Sequence, residues 1–198
     1  MSNEVRHVKI ATYQKPKKGN YYCGDSYYYK ETDKSFVCAI ADGLGSGELA
    51  KESSQAVMDV IEDYPDLSIE ALIKKCNEAL MSKRGVVLGI LKIDFPTETY
   101  SYSSIGNIGI MTVTSEGRKK RNIPLAGYLT GYPKKLRVVY GKLERGLVFI
   151  MFSDGVNERQ LSSKLFHDFD VDRIVKQYEI ENGDVRDDDT TLIAMKYD

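Results

Sequence analysis

The sequence predicts an α+β protein built on mainly antiparallel sheets with helices packed outside them. Two observations carry this. Strand-like and helical segments come in blocks (strands, two helices, many strands, a helix and a closing strand), not in the alternation of a parallel doubly wound sheet. In addition, the apolar runs 37–41 and 147–153 each end abruptly in an Asp-Gly pair, Asp42-Gly43 and Asp154-Gly155, so two separate strands deliver a carboxylate to their ends.

Residues 7–13 alternate and read as an opening strand, followed by a basic turn at 15–20 that holds Lys15, Pro16, Lys17, Lys18 and Gly19. Residues 21–29 are aromatic enough for a second strand, with the tyrosines half-buried in the sheet. Asp25 opposes its surroundings there, because aspartate is a poor strand former and Gly24 weakens the strand further. A residue that resists its local structure is a candidate for function; the plain alternative is a turn residue. A turn at 31–34 leads into the central strand that ends at Asp42.

Beyond Gly43, Gly45 and Gly47, residues Leu49, Ser53, Ala56, Val57, Val60, Ile61 and Tyr64 recur at steps of three and four, one face of an amphipathic helix that Pro65 stops. Ser68 caps a second helix with Glu70 in its first turn, and its stripe is Ile69, Leu72, Ile73, Cys76, Ala79 and Leu80. Both stripes read as core. From Arg84 the period becomes two: 86–94 and 99–105 pair across a turn at Pro96, and 108–114 follows. Residues 118–131 read as a loop, 136–140 and 147–153 as strands, and 160–169 as a weak helix. Val171, Ile174, Val175 and Tyr178 mark a better helix, and 191–195 is the closing strand behind the acidic run 187–189.

The 198 residues suit a single domain spanning 1–198, with no repeat, low-complexity tract or linker. Apolar content of 42% and charged content of 29% are ordinary for a soluble globular protein. A net charge of −1 with scattered Lys and Arg argues against a nucleic-acid partner. No apolar run approaches the ~20 residues of a membrane span, and residues 1–7 lack the apolar core of a signal peptide. Cys23, Cys38 and Cys76 have no metal-site spacing, and two of them lie in apolar patterns, as reduced thiols of a cytoplasmic protein do. His7 and His167 carry no functional assignment.

Asp25, Asp42, Asp154 and Asp188 are far apart in sequence, yet each lies inside a strand-like run or at its end. If those strands share sheets, the carboxylates converge, and several carboxylates share a small site only when protons or cations neutralise them. With no His or Cys close by in the pattern, the ligands are hard oxygens, which favour Mg²⁺ or Mn²⁺ over Zn²⁺. Two such ions ~3.5–4 Å apart activate water at neutral pH and hold a phosphoryl group for in-line attack. Gly43 permits a sharp turn and lets a backbone carbonyl approach an ion. Taken singly, each Asp-Gly is an ordinary turn and 187–189 an ordinary solvated loop; the weight lies in the four together.

The series Gly24-Asp25-Ser26, Ala41-Asp42-Gly43-Leu44-Gly45, Ser153-Asp154-Gly155 and Asp188-Asp189-Thr190-Thr191-Leu192 resembles the PPM/PP2C metal-dependent serine/threonine phosphatases over essentially the whole chain. The short length, residues 41–47 and Lys83-Arg84-Gly85 are most similar to the branch that acts in the stressosome of Gram-positive bacteria. The resemblance implies an α-β-β-α sandwich of two antiparallel sheets flanked by helices, with two divalent ions at one sheet edge. By position, Asp42 would bridge both ions, the Gly43 carbonyl would bind one, Asp154 and Asp188 would hold the other, and Asp25 would act directly or through water. It also implies hydrolysis of phosphoserine or phosphothreonine on STAS-domain proteins of the RsbS and RsbR type by metal-activated water. The protein would then be a monomeric feedback regulator of the general stress response.

Three departures stand out. Leu44 occupies the place where many eukaryotic members carry a histidine proposed as general acid. Gly106-Asn107-Ile108-Gly109 replaces a Gly-Asp-Ser-Arg turn, so the aspartate that can join a third ion is missing. The phosphate-binding arginine of many relatives has no match ahead of Gly24, where only Lys15, Lys17 and Lys18 offer positive charge. Two other readings compete. A phosphate-cradling ATP site is disfavoured because Gly47 is followed by Glu48 rather than Lys-Ser/Thr, and the spacing of Asp42, Gly43 and Gly45 is one residue off an Asp-x-Gly-x-Gly motif. A non-catalytic regulator that only binds a partner would have no use for all four acids.

Overall fold

The computed structural model describes residues 6–157, 159, 161, 170–183 and 187–198. The weak helix expected at 160–169 therefore lies outside the described residues except at Leu161, and so does His167.

Two five-stranded sheets form, with every strand pair antiparallel. One contains β1 (Val8–Lys15), β10 (Thr190–Tyr197), β9 (Val148–Phe152), β6 (Gly109–Val113) and β7 (Lys119–Arg121), in that order. The other contains β2 (Asp25–Glu31), β3 (Ser35–Gly43), β4 (Val86–Asp94), β5 (Thr99–Ile105) and β8 (Val139–Lys142). Three helices complete the chain: α1 (Glu48–Asp63), α2 (Ile69–Ala79) and α3 (Val171–Asn182).

The central strand β3 shows why the layers stack. Its side chains alternate between two apolar surfaces, so the run is continuously hydrophobic rather than half polar. Phe36, Cys38 and Ile40 meet Phe149, Met151, Ile193 and Met195 of the facing sheet. Val37, Ala39 and Ala41 point the other way, against Val57 and Ile61 of α1 and Leu72, Ile73 and Cys76 of α2. On the far side, Ile174, Val175 and Tyr178 of α3 pack on Tyr13, Ile150, Leu192 and Ala194. The result is the expected α-β-β-α sandwich.

Four expectations need correction. The second strand begins at Asp25, not at residue 21; Tyr21 is 89% exposed and packs edge-on against Tyr22 in the preceding loop, and the Gly24 N–H donates to the Asp189 side chain. In α1, Leu49 and Tyr64 face solvent, while Ala50, Ser53, Ser54, Val57, Met58 and Ile61 are buried. Within the expected loop 118–131, β7 pairs with β6 as a short, fully exposed basic edge strand, which hydrophobic periodicity cannot reveal. The strand expected at 136–140 forms instead at Val139–Lys142, because Leu136 and Val138 pack towards the α2 side of the core.

Candidate active site

The two sheets are joined at one edge by Asp25. As the first residue of β2 it is directly paired with Asp42 of β3, and it is completely buried. From the opposite sheet, the Thr191 hydroxyl donates to Asp25 Oδ2 at 2.7 Å, and Gln14 Nε2 donates to that hydroxyl at 3.0 Å. From α1, Lys51 Nζ donates to the Asp25 carbonyl at 3.1 Å and to Ser26 Oγ at 2.9 Å. The second carboxylate oxygen, Oδ1, is buried with no hydrogen-bond partner among the described residues.

Asp42 has Asp25 on one side and Val87 on the other in the β2–β3–β4 ladder. Directly after it the chain must let α1 close over the sheet. A β-carbon at Gly43 would lie 2.0 Å from the Ala50 carbonyl oxygen, so only glycine permits this approach. The same approach explains why Ala50, rather than Leu49, turns inward. The turn is fastened by Gly43 N–H to the Gly24 carbonyl at 3.3 Å and by Leu44 N–H to the Gly85 carbonyl at 2.8 Å.

Asp154 follows β9 at the matching edge of the other sheet and is exposed; Asn107 Nδ2 donates to its Oδ2 at 2.5 Å. Buried Ser153 locks that edge, since its N–H donates to the Thr191 carbonyl at 3.0 Å and its Oγ accepts from Thr191 N–H at 2.9 Å. The neighbouring acids Asp188 and Asp189 separate into two roles. Asp188 is exposed, and its charge acts on Asp42 and Asp154. Asp189 is buried and accepts from Lys17 N–H and Gly24 N–H at 2.8 Å each.

The electrostatics are those of crowded like charges. Burial, then Asp25, Asp154, Asp188 and Asp189, push Asp42 up to about 8. Burial pushes Asp25 up to about 6, against the pull of the Thr191 and Ser153 hydroxyls and with added repulsion from Asp189 and Asp154. Asp154 is also raised, by burial and by Asp188. Each shift means that the charged forms are disfavoured together, the condition a divalent cation relieves. The orphaned Asp25 Oδ1 and the all-oxygen donor set fit a hard ion such as Mg²⁺ or Mn²⁺. Among the described residues no three His, Cys, Asp or Glu side chains are grouped closely enough to hold one ion alone. An ion here would complete its shell with backbone carbonyl and water, as hard cations readily do.

The sequence pattern left several participants unseen. Asn107, Thr191 and Lys51 bond to Asp154 or Asp25, Gln14 to Thr191 and Asp189 to Gly24, all across long sequence separations. One expectation fails: a cysteine does lie beside the acids. Cys23 feels the charges of Asp25 and Asp189, and burial foremost pushes its thiol up to about 12, so in the metal-free chain it stays protonated at neutral pH. His7 is remote from this chemistry, stacked on Phe95 and paired with Glu31.

This four-layer sandwich, with acids gathered where its two sheets meet, defines the class of PP2C-type phosphatases. The chain belongs to the SpoIIE family: residues 32–198 match Stage II sporulation protein E (SpoIIE). Asp42, Asp154 and Asp188 lie inside the matched segment and Asp25 just ahead of it. The chain is 37% identical over 192 residues to the phosphoserine phosphatase RsbX of Bacillus subtilis (strain 168), covering 97% of this chain and 96% of that protein. The crystal structure of RsbX in complex with magnesium superposes with a TM-score of 0.91 at 37% identity, over 100% of this chain and 98% of the other. The catalytic domain of the serine/threonine protein phosphatase PstP, solved with two manganese ions, shares the fold at 15% identity and a TM-score of 0.78, over 96% of this chain and 97% of its own. The protein is thus a phosphatase of the PP2C type, in a family whose structures bind divalent metals.

Proposed function

We propose that residues 1–198 form one metal-dependent phosphatase domain that removes phosphate from phosphoserine or phosphothreonine on STAS-domain stressosome proteins. It would act in the cytoplasm as a monomer and as a feedback regulator of the general stress response. The observation that carries the hydrolytic part is the pairing of buried Asp25 with Asp42, facing Asp154 and Asp188 from the other sheet, in a site too acidic to stay ionised without cations. The substrate part rests on the similarity of residues 41–47 and 83–85 to the stressosome branch and on the likeness to a phosphoserine phosphatase.

Two ions, Mn²⁺ or Mg²⁺, would be held by Asp42, the Gly43 carbonyl, Asp154 and Asp188, with Asp25 reaching them directly or through water. When bound they would supply an activated water and positive charge for the phosphoryl oxygens. The chain's own part is positional. The Thr191–Gln14 bonds and Lys51 fix Asp25, Asn107 orients Asp154, and the Gly43–Ala50 contact sets the Asp42 turn.

The test is release of phosphate from a phosphorylated STAS-domain protein, with Mn²⁺ and with chelator, by the parent protein and by Asp42→Ala. The expected result is release that needs Mn²⁺ and disappears in the variant. Release undiminished in Asp42→Ala would remove the mechanism, and a folded parent protein inactive on every phosphoester with Mn²⁺ would leave the partner-binding reading in its place.

A further inference from the structure

Beside the charge that bound ions would supply, a protein cation would help to hold a phosphate dianion near five aspartates, and the positively charged side chains near the site differ in their availability. Lys51 is already bonded to the Asp25 carbonyl and Ser26. Lys15 pairs with Glu179 of α3 at 3.3 Å and lies over the Tyr13 ring, so it faces the helix. Arg84 is different. It is exposed, and no hydrogen bond or ion pair engages its guanidinium among the described residues.

Its position is built rather than incidental. Arg84 immediately precedes Gly85, whose carbonyl accepts from Leu44 N–H at 2.8 Å, so the α2–β4 loop is bonded directly to the Asp42-Gly43-Leu44 turn. The guanidinium reaches that turn with its Nη1 end: a β-carbon at Gly45 would stand 2.3 Å from Arg84 Nη1 and 3.5 Å from Cζ. Gly45 has φ +100°, a backbone conformation that favours glycine, and the absence of a side chain there leaves the space that Arg84 Nη1 occupies. In the β3–β4 ladder Asp42 pairs with Val87, three residues and about 10 Å of extended chain beyond Arg84.

We propose that Arg84 is the phosphate-binding residue of this site, its planar fork taking two phosphoryl oxygens of the phosphoserine or phosphothreonine ester. The geometry of two parallel N–H donors suits a phosphate better than a lysine ammonium does. Arg84 then binds and orients the ester, and takes no part in proton transfer. This inference rests on the phosphatase reading of the same site.

The test uses the Mn²⁺-loaded full chain, p-nitrophenyl phosphate as substrate and inorganic phosphate as ligand, with Arg84→Ala, Arg84→Gln, Arg84→Lys and Lys17→Ala compared. The expected result for Arg84→Ala and Arg84→Gln is a rise of about tenfold in KM and in the inhibition constant of phosphate, the equivalent of one charge-assisted hydrogen bond. The Mn²⁺ concentration for half-activation should not change. Arg84→Lys should recover part of the loss. Independently of turnover, the rise in melting temperature that phosphate gives the Mn²⁺-loaded parent should shrink in Arg84→Ala. The proposal is overturned if KM and the phosphate shift stay within about twofold of the parent, or if Lys17→Ala, rather than Arg84→Ala, weakens phosphate. If the parent itself is inactive, the phosphatase reading fails; in that case a phosphate-induced shift that Arg84→Ala abolishes would still uphold Arg84 as an anion site.

Discussion

Asp25 and Asp42 stand directly opposite one another in the β2–β3 ladder, one completely buried and the other half-buried, with no cationic side chain bonded to either carboxylate among the described residues. Like charges directly across an antiparallel pair are destabilising. The fold accepts this at the point where its two sheets are tied together, and the consequences can be measured without any substrate.

Stability of the metal-free protein should fall as pH rises. Folded Asp42 titrates at about 8 and folded Asp25 at about 6, whereas an unfolded aspartate titrates near 4. Between these values the folded chain holds protons that the unfolded chain has released, so raising pH favours unfolding. The loss begins near pH 4, is steepest while both groups remain protonated only in the fold, and levels off above about pH 8. The carboxylates with lowered values, Asp94, Asp170 and Glu70, act with opposite sign and in the more acidic range. Melting in chelator at about pH 5.5 and about pH 8.5, repeated with Mn²⁺, checks this: the metal-induced rise should be larger at the higher pH. A metal-free melting temperature that climbs between those two points would contradict it.

Asp42→Asn should separate stability from activity. It removes the most strongly disfavoured charge of the cluster while keeping the shape, so the metal-free variant should melt higher than the parent at about pH 8 and show a flatter pH dependence. Mn²⁺-dependent phosphatase activity should fall by more than about a hundredfold, beyond what loss of a supporting residue costs. A variant that is less stable than the parent at that pH would mean that Asp42 is favourably ionised in the fold.

How far the site could be read in advance follows from where each residue's partners lie. Asp42-Gly43 is legible because a buried strand that stops at an acid is a local pattern. Asp25 is half legible: it opposes its strand, but nothing local says that Thr191, from the other end of the chain, satisfies it. Asn107 and Asp189 stand in motifs that the sequence shows, but their partners are not legible there, because only the joined sheets bring them to Asp154 and Gly24. Periodicity points to Leu49 on the inward face of α1 where the structure uses Ala50, since it registers hydrophobicity and not the close approach to Gly43. The layer order was legible because β3 is apolar on both faces, whereas the exposed edge strand β7 has no such signal.

Asp189→Ala should loosen the loop ahead of β2 rather than the metal site itself. Both of its oxygens hold backbone amides, of Lys17 and of Gly24, and removing them leaves the buried Gly24 N–H without its partner. The cost should be about 1–3 kcal/mol of stability. Cys23 lies next to Gly24, so its labelling by a thiol reagent should become at least about tenfold faster as the loop opens more often. Unchanged labelling together with lost activity would instead make Asp189 part of the ligand set.

Thr191→Val should strike Asp25 alone. Valine keeps the shape and the β10 strand, but it deletes the hydroxyl that donates to Asp25 Oδ2 at 2.7 Å and accepts from Gln14. A fully buried carboxylate would then lose one of the two hydroxyls that favour its charged form and keep only Ser153, so the proton on metal-free Asp25 should be held more tightly still. Two readings follow. Metal-free stability should drop by about 1–3 kcal/mol. The Mn²⁺ concentration for half-maximal thermal stabilisation should rise by about 10–100-fold, as it does when a supporting bond to a metal ligand is lost. Thr191→Ser, which restores the hydroxyl, should recover most of the metal response even if it packs less well. Failure of serine to recover it would assign the effect of valine to packing between the sheets, and would leave Asp25 without a positioning role for Thr191.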